Sequence, residues 1–144
     1  MPNWCDNEVT ITHNDKDVIN GIVEAIKKEQ GLFQHILPVN DFEDRVKKWG
    51  TKWDAQEVQI CEVSDSSIFL SFETAWAPPV ELYRYMVNNG YEICSLFAER
   101  GCDFCGQFTD GVLEEYDIDG ELPEYLLEYV TKLGYRYDSD EDED

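Results

Sequence analysis

Hydrophobic and polar positions switch period several times along the chain. Residues 8–13, EVTITH, alternate with Val9 and Ile11 on one side, the period of a half-buried strand. Asn14 and Asp15 then offer capping side chains to a segment whose Val18, Ile19, Ile22, Val23 and Ile26 fall on one helical stripe. Gly31 is placed to supply the left-handed turn that ends this helix. Asn40 and Glu43 have the spacing of a capping box, and Phe42, Val46 and Trp49 recur at i, i+4 and i+7, which predicts a short second helix ending at Gly50.

Two strand-like runs follow, EVQICEV at 57–63 and SIFLSFET at 67–74, parted by SDS, and their spacing reads as a hairpin. Pro78 and Pro79 stop the second run, and Pro79 suits the first turn of a helix containing Val80, Tyr83, Met86 and Val87 and closed by Gly90. YEICSLFAE at 91–99 predicts another strand, and GCDFCGQFTDG at 101–111 a glycine-punctuated turn or bulged strand continued by VLEEYDI as a hairpin arm. Leu122, Tyr125, Leu126, Tyr129, Val130 and Leu133 then mark an amphipathic C-terminal helix closed by Gly134. The order strand, helix, hairpin, helix, strand predicts an α+β fold of ferredoxin-like type. Its antiparallel sheet would carry helices on one face, with an extra C-terminal amphipathic helix. Residues 1–136 read as one domain without an internal repeat, and residues 137–144 as an acidic tail too polar to pack.

Composition sharpens this picture through charge. The 144 residues are 42% hydrophobic and 13% aromatic, enough for a core, yet 32 acidic against 11 basic side chains leave a net charge of -21. The excess is uneven: residues 1–60 hold 11 acids and 7 bases, residues 61–100 hold 6 and 2, and residues 101–144 hold 15 and 2. Such a surface repels nucleic acid and attracts basic protein surfaces, so direct nucleic-acid binding is not expected. No segment is apolar enough to span a bilayer, and MPNWCDNE has neither the basic nor the apolar region of a signal peptide, which predicts a cytoplasmic location. Five cysteines without an export signal read as reduced thiols.

Four aromatic motifs stand out: MPNWCDN at the N-terminus, WGTKWDA at 49–55, FETAWAPP at 72–79 and GCDFCG at 101–106. In that order they resemble the ferredoxin-like domain of the phage Api-type proteins, small accessory proteins carried by phages and plasmids, over roughly residues 1–110. The resemblance implies the fold and a phage-type context in which small proteins act against host defence. It implies no catalytic residue, because that family has no settled biochemical activity.

The candidate chemistry divides three ways. Trp49, Lys52, Trp53 and Trp76 could form a pocket that stacks a nucleobase and meets a phosphate, with Thr51 or Asp54 bonding a sugar; the alternative is that these tryptophans anchor loops of the core. Cys102 and Cys105 form CxxC, but no second CxxC or HxxxH knuckle accompanies them, so no metal or cofactor is expected. The chain also lacks a GxSxG elbow, HExxH, a phosphate-cradling GxxxxGK[ST] loop and a dinucleotide glycine motif. With so many carboxylates, close pairs arise by chance, and an enzyme is not expected.

The acidic third remains: Asp103, Asp110, Glu114, Glu115, Asp117, Asp119, Glu121, Glu124 and Glu128 are spread over a turn, a hairpin arm and the last helix. A solvated face that keeps the protein soluble accounts for some charge, but about 2–8 units suffice for a small domain. The excess predicts a partner-binding surface that mimics DNA or RNA on a host protein's basic channel. A nucleotide-sequestering aromatic pocket is the second expectation.

Overall fold

The computed structural model describes residues 3–136. Six strands and five helices follow one another as β1 (Trp4–Thr12), α1 (Lys16–Lys27), α2 (Leu32–Ile36), α3 (Asp44–Trp49), β2 (Gln56–Val63), β3 (Ser67–Ala75), α4 (Val80–Asn88), β4 (Glu92–Glu99), β5 (Phe104–Thr109), β6 (Val112–Asp117) and α5 (Glu124–Lys132). The fold is α+β, and its strands form one open antiparallel sheet in the order β2-β3-β1-β4-β5-β6. The predicted acidic tail lies outside the described residues.

Strand β1 is central, with Val9 opposite Leu70 of β3 and Ser95 of β4. It begins earlier than the alternation predicts because the inward position 7 is a polar residue. Asn7 is buried, and its Nδ2 donates to the Cys5 carbonyl and to Thr74 Oγ1 at 3.0 Å each, with the Phe72 carbonyl at 3.4 Å sharing a hydrogen, while its Oδ1 has no partner among the described residues. One sheet face carries Val9, Ile11, Ile68, Leu70, Phe72, Ile93 and Phe108 against Ile19 and Ile22 of α1, Phe33 of α2, Trp49 of α3 and Leu82, Tyr83 and Met86 of α4. The opposite face carries Ala98 and Cys105 against Leu126, Tyr129 and Val130 of α5. The C-terminal helix thus does not join the others, and it covers only the β4–β5 half of its face.

Three local expectations change. Gly31 does not end α1: Glu29 adopts the left-handed conformation there (φ 54°), and Gly31 (φ 88°) opens α2, accepting the His35 N–H. Asn40 is not a cap, because Asp41 one residue later accepts the Glu43 N–H at 3.1 Å. The stripe Phe42, Val46, Trp49 is not a buried face. With only six residues α3 buries Trp49 alone, while Phe42 and Val46 are 48% and 55% exposed. Gly50 ends α3 as predicted, at φ 87°.

Strand β5 needs a glycine where it passes beneath Phe97 on β4. A Cβ at Gly106 would overlap the Glu114 carbonyl oxygen of β6 and stand 2.7 Å from Phe97 Cζ. Gly106→Ala is therefore expected to push β6 away and cost roughly 2–3 kcal/mol, read from the midpoint of urea unfolding.

Candidate functional site

All nine acidic residues singled out in the C-terminal third are exposed. The sheet does not place them on one plane. On β6, Leu113 packs toward α1 and α4 while Tyr116 packs toward α5, so Glu114 and Glu115 point to opposite sides and the carboxylates wrap around the sheet edge. Several have local work. Asp110 turns the β5–β6 hairpin at φ 46° and its Oδ1 accepts the Ile93 N–H at 2.9 Å; Asp103 meets Arg100 at 2.6 Å, with Asp119 at 3.8 Å from the same guanidinium. Glu114 accepts from Gln107 Nε2 at 2.9 Å and from the Tyr116 hydroxyl at 3.0 Å.

Glu115, Asp117, Glu121, Glu124 and Glu128 make no side-chain hydrogen bond or ion pair among the described residues. The two basic residues of 101–136 are engaged elsewhere. Arg136 donates to the Ile118 and Gly120 carbonyls at 2.9 and 2.5 Å, and Lys132 reaches Glu8 at 3.1 Å. The β6–α5 end is thus a field of carboxylates with little opposing charge. Its edge-strand members also deter pairing with another sheet, a service that charge performs on any exposed edge.

The tryptophan set divides. Trp49 is fully buried, edge-on to Phe33, and its Nε1 donates to the Leu37 carbonyl at 2.9 Å. Thr51 is buried too, bonding the Ala75 carbonyl at 2.9 Å. The Asp54 carboxylate receives the N–H groups of Phe33 (2.8 Å), Gln34 (3.0 Å) and Ala55 (2.7 Å), which closes the first turn of α2. Three residues of WGTKWD therefore serve the fold.

Lys52, Trp53 and Trp76 are brought together with Trp4. Trp53 lies 6.2 Å from Trp4 and 6.0 Å from Trp76 between ring centroids, and the Lys52 ammonium stands 5.6–5.9 Å from the rings of Phe42, Trp53 and Trp76. Trp76 is 43% exposed and sits at φ 65°, a left-handed conformation that costs a bulky residue about 1–3 kcal/mol. Its N–H donates to the Asn3 carbonyl at 2.8 Å, which holds the bend.

The CxxC pair does not present two matched thiols: Cys102 is exposed on the turn, and Cys105 is buried beneath α5. Among the described residues no three His, Cys, Asp or Glu side chains stand close enough to hold a metal ion, and no helix is long and apolar enough to cross a membrane. Burial pushes the Cys105 thiol up to about 11 and raises Cys5 further.

A second acidic group escaped the charge count. Asp6, Glu8, Glu57 and Glu73 come from segments of modest net charge and meet only through strand pairing, around a cleft of about 560 Å³ on the α5 side of the sheet. The signal was present as the polar half of the strand alternation. Comparisons with protein families, with curated proteins and with solved structures give no match.

Asp54→Ala removes three charge-assisted hydrogen bonds and should destabilise the fold by about 2 kcal/mol, with Asp54→Asn costing less because one acceptor remains. Thermal unfolding of the two variants checks the order. Thiol titration at pH 8 in the native state is expected to modify Cys61 and Cys94 readily, Cys102 more slowly because the Glu99 carboxylate beside it raises its thiol pKa, and Cys5 and Cys105 only after unfolding. With a pKa of about 11, Cys105 has little thiolate at pH 8 besides being shielded.

Proposed function

We propose that this is a non-enzymatic, phage-type accessory protein that inhibits a host nucleic-acid-binding defence protein, of anti-CRISPR or anti-restriction type. Its carboxylates occupy the partner's basic channel in place of phosphates, within the host cytoplasm and without binding nucleic acid itself. The observation that carries this reading is the exposed acidic rim of β6, the following loop and α5. Five of its carboxylates are unpartnered among the described residues, and both nearby bases are engaged elsewhere. The order β2-β3-β1-β4, with helices in both crossovers, supports a ferredoxin-like arrangement of the first four strands, widened by β5–β6 and backed by α5.

A nucleotide-sequestering reading has one observation in its favour, the exposed and strained Trp76 beside Lys52 and Trp53. Trp49 leaves that pocket because its ring is buried in the core. The ammonium of Lys52 already faces three rings, so a stacking ligand would compete with it.

Purified host defence complexes with basic channels, titrated at low salt, are expected to bind the protein with an association rate that falls steeply as salt rises. Reversing Glu114, Glu115, Glu124 and Glu128 to lysine should slow association about tenfold or more. Salt-independent binding, or binding unaffected by the reversal, rules out the acidic rim. A nucleotide screen by thermal shift decides the second reading, since a ligand that binds only the folded state must raise the melting temperature.

A further inference from the structure

Three aromatic rings, from the turn before α3, the loop after it and the residue that follows β3, converge on one ammonium. The Lys52 Nζ stands 5.6 Å from the Phe42 ring centroid, 5.9 Å from that of Trp53 and 5.7 Å from that of Trp76, and Trp4 backs Trp53 at 6.2 Å. The face of an aromatic ring is electron-rich, so a cation within about 6 Å of several centroids is attracted to each of them. Asp54, the nearest acid in sequence, gives its carboxylate to the N–H groups of Phe33, Gln34 and Ala55 instead. Lys52 has no ion pair among the described residues.

The rings are open to solvent, and the backbone holds one of them there. Phe42 and Trp76 are 48% and 43% exposed, although large aromatic side chains gain most from burial. Trp76 stands on a left-handed backbone that favours glycine, fixed by its N–H on the Asn3 carbonyl and by the turn in which the Ala77 N–H donates to the Ala75 carbonyl at 2.8 Å. The Lys52 stem is a flexible four-carbon chain, so its ammonium is free to swing out into water. Its presence among the rings shows which chemistry they accept. Residues 41–54 hold four acids and four bases, so their charges balance locally, while the net charge of -21 draws cations toward the molecule and repels anions.

We propose that Phe42, Trp53 and Trp76 form an aromatic cage for a quaternary ammonium, which enters by displacing the Lys52 ammonium. Lys52 is the resident cation of the cage and marks the position of the guest's nitrogen. A methylated ammonium is bulkier and more weakly hydrated than the primary ammonium it replaces, so it gives up less on leaving water and meets more of the ring faces. A free choline-like molecule and a trimethylated lysine on a partner protein present the same head. The site does not rest on the inhibitor reading, because none of its residues belongs to the acidic rim of β6 and α5. It competes with the nucleotide reading, which gives two of the same rings an anionic ligand and requires Lys52 to stay.

Tryptophan fluorescence and calorimetric titration of the full chain with choline, and separately with a blocked trimethyl-lysine peptide, test the cage. One saturable site is expected for at least one of them, and neohexyl alcohol, which replaces the nitrogen of choline by an uncharged carbon, should bind about tenfold more weakly. Lys52→Met removes the resident cation and should tighten ammonium binding about fivefold, whereas adenosine monophosphate, the probe for the nucleotide reading, must bind more weakly to the same variant. Trp76→Gly keeps the left-handed backbone, takes away one wall and should weaken ammonium binding about tenfold. Melting curves confirm that both variants are folded. Saturation by choline alone assigns a free ligand, saturation by the peptide alone a partner's modified side chain, and saturation by both the shared head. No saturable binding, equal binding of the uncharged alcohol, or weaker ammonium binding by Lys52→Met overturns the proposal. So does unchanged binding by Trp76→Gly, which is diffuse attraction of cations to the acidic surface.

Discussion

The constraint on which the rest of the structure depends is the two-residue period of β1, which pairs along nearly its whole length with β3 and β4. Because side chains alternate, Cys5, Asn7, Val9 and Ile11 face one way, and Asp6 and Glu8 must face the other. The first set demands a cover and receives α1 to α4. The second set cannot be covered by an apolar helix without burying unpaired charge. That is why α5 lies over β4 and β5, where Leu96, Ala98 and Cys105 offer an apolar strip, and stops short of β1–β3. The open cleft is a consequence of this division, and a one-residue slip of β1 would destroy both the core and the cleft at once.

The acidic residues sort into those that build the fold and those that do not. Asp54 organises the first turn of α2, Asp110 ties its hairpin turn to β4, Asp15 caps α1 through the Asp17 N–H, and Asp41 does the same ahead of α3. Each carboxylate accepts backbone donors that would otherwise lack a partner. At Asp15, Asp41 and Asp110 one oxygen does this work, as an asparagine oxygen does elsewhere, whereas Asp54 uses both oxygens of its carboxylate. The carboxylates on β6 and α5 that have no partner among the described residues have no such role and remain as field. A count of net charge mixes the two kinds, so the location of the free charge matters more than its total.

Much of the element order could be read from the chain because apolar side chains repeat with clean periods in α1, β3, α4, β4 and α5. What escaped was set by pairing or by short range. Helix α2 has five residues, too few to show a helical period, and it exists because Asp54, distant in sequence, receives its first N–H groups. Val46 and Phe42 share the spacing of a buried stripe yet stay exposed, since the six residues of α3 present only Trp49 to the core. The carboxylates of Asp6, Glu57 and Glu73 lie on three strands, and their meeting requires the register of β1 with β3 and the bulged register of β2, where Glu57 turns left-handed. Sequence distance hides such a group, although each member sits on the polar side of its own strand.

Charge separation across the molecule follows from how its few bases are used. Arg45, Lys47, Lys48 and Lys52 cluster in and just after α3. Two of them are drawn into aromatic contacts: the Arg45 guanidinium lies 5.1 Å from the Phe42 ring and 5.4 Å from Trp49, and Lys52 faces three rings. Neither is then free to neutralise carboxylates at the β6–α5 end. At physiological salt, exposed charges interact over about 8 Å, so repulsion within the acidic rim is local. The fold tolerates it because α5 is fastened from beneath by Leu126, Tyr129 and Val130, and because Glu124 stands in the first helical turn, where the helix dipole favours a negative charge. Apolar anchoring below, and above it carboxylates that have no partner among the described residues, make α5 a carrier of negative potential held against the sheet.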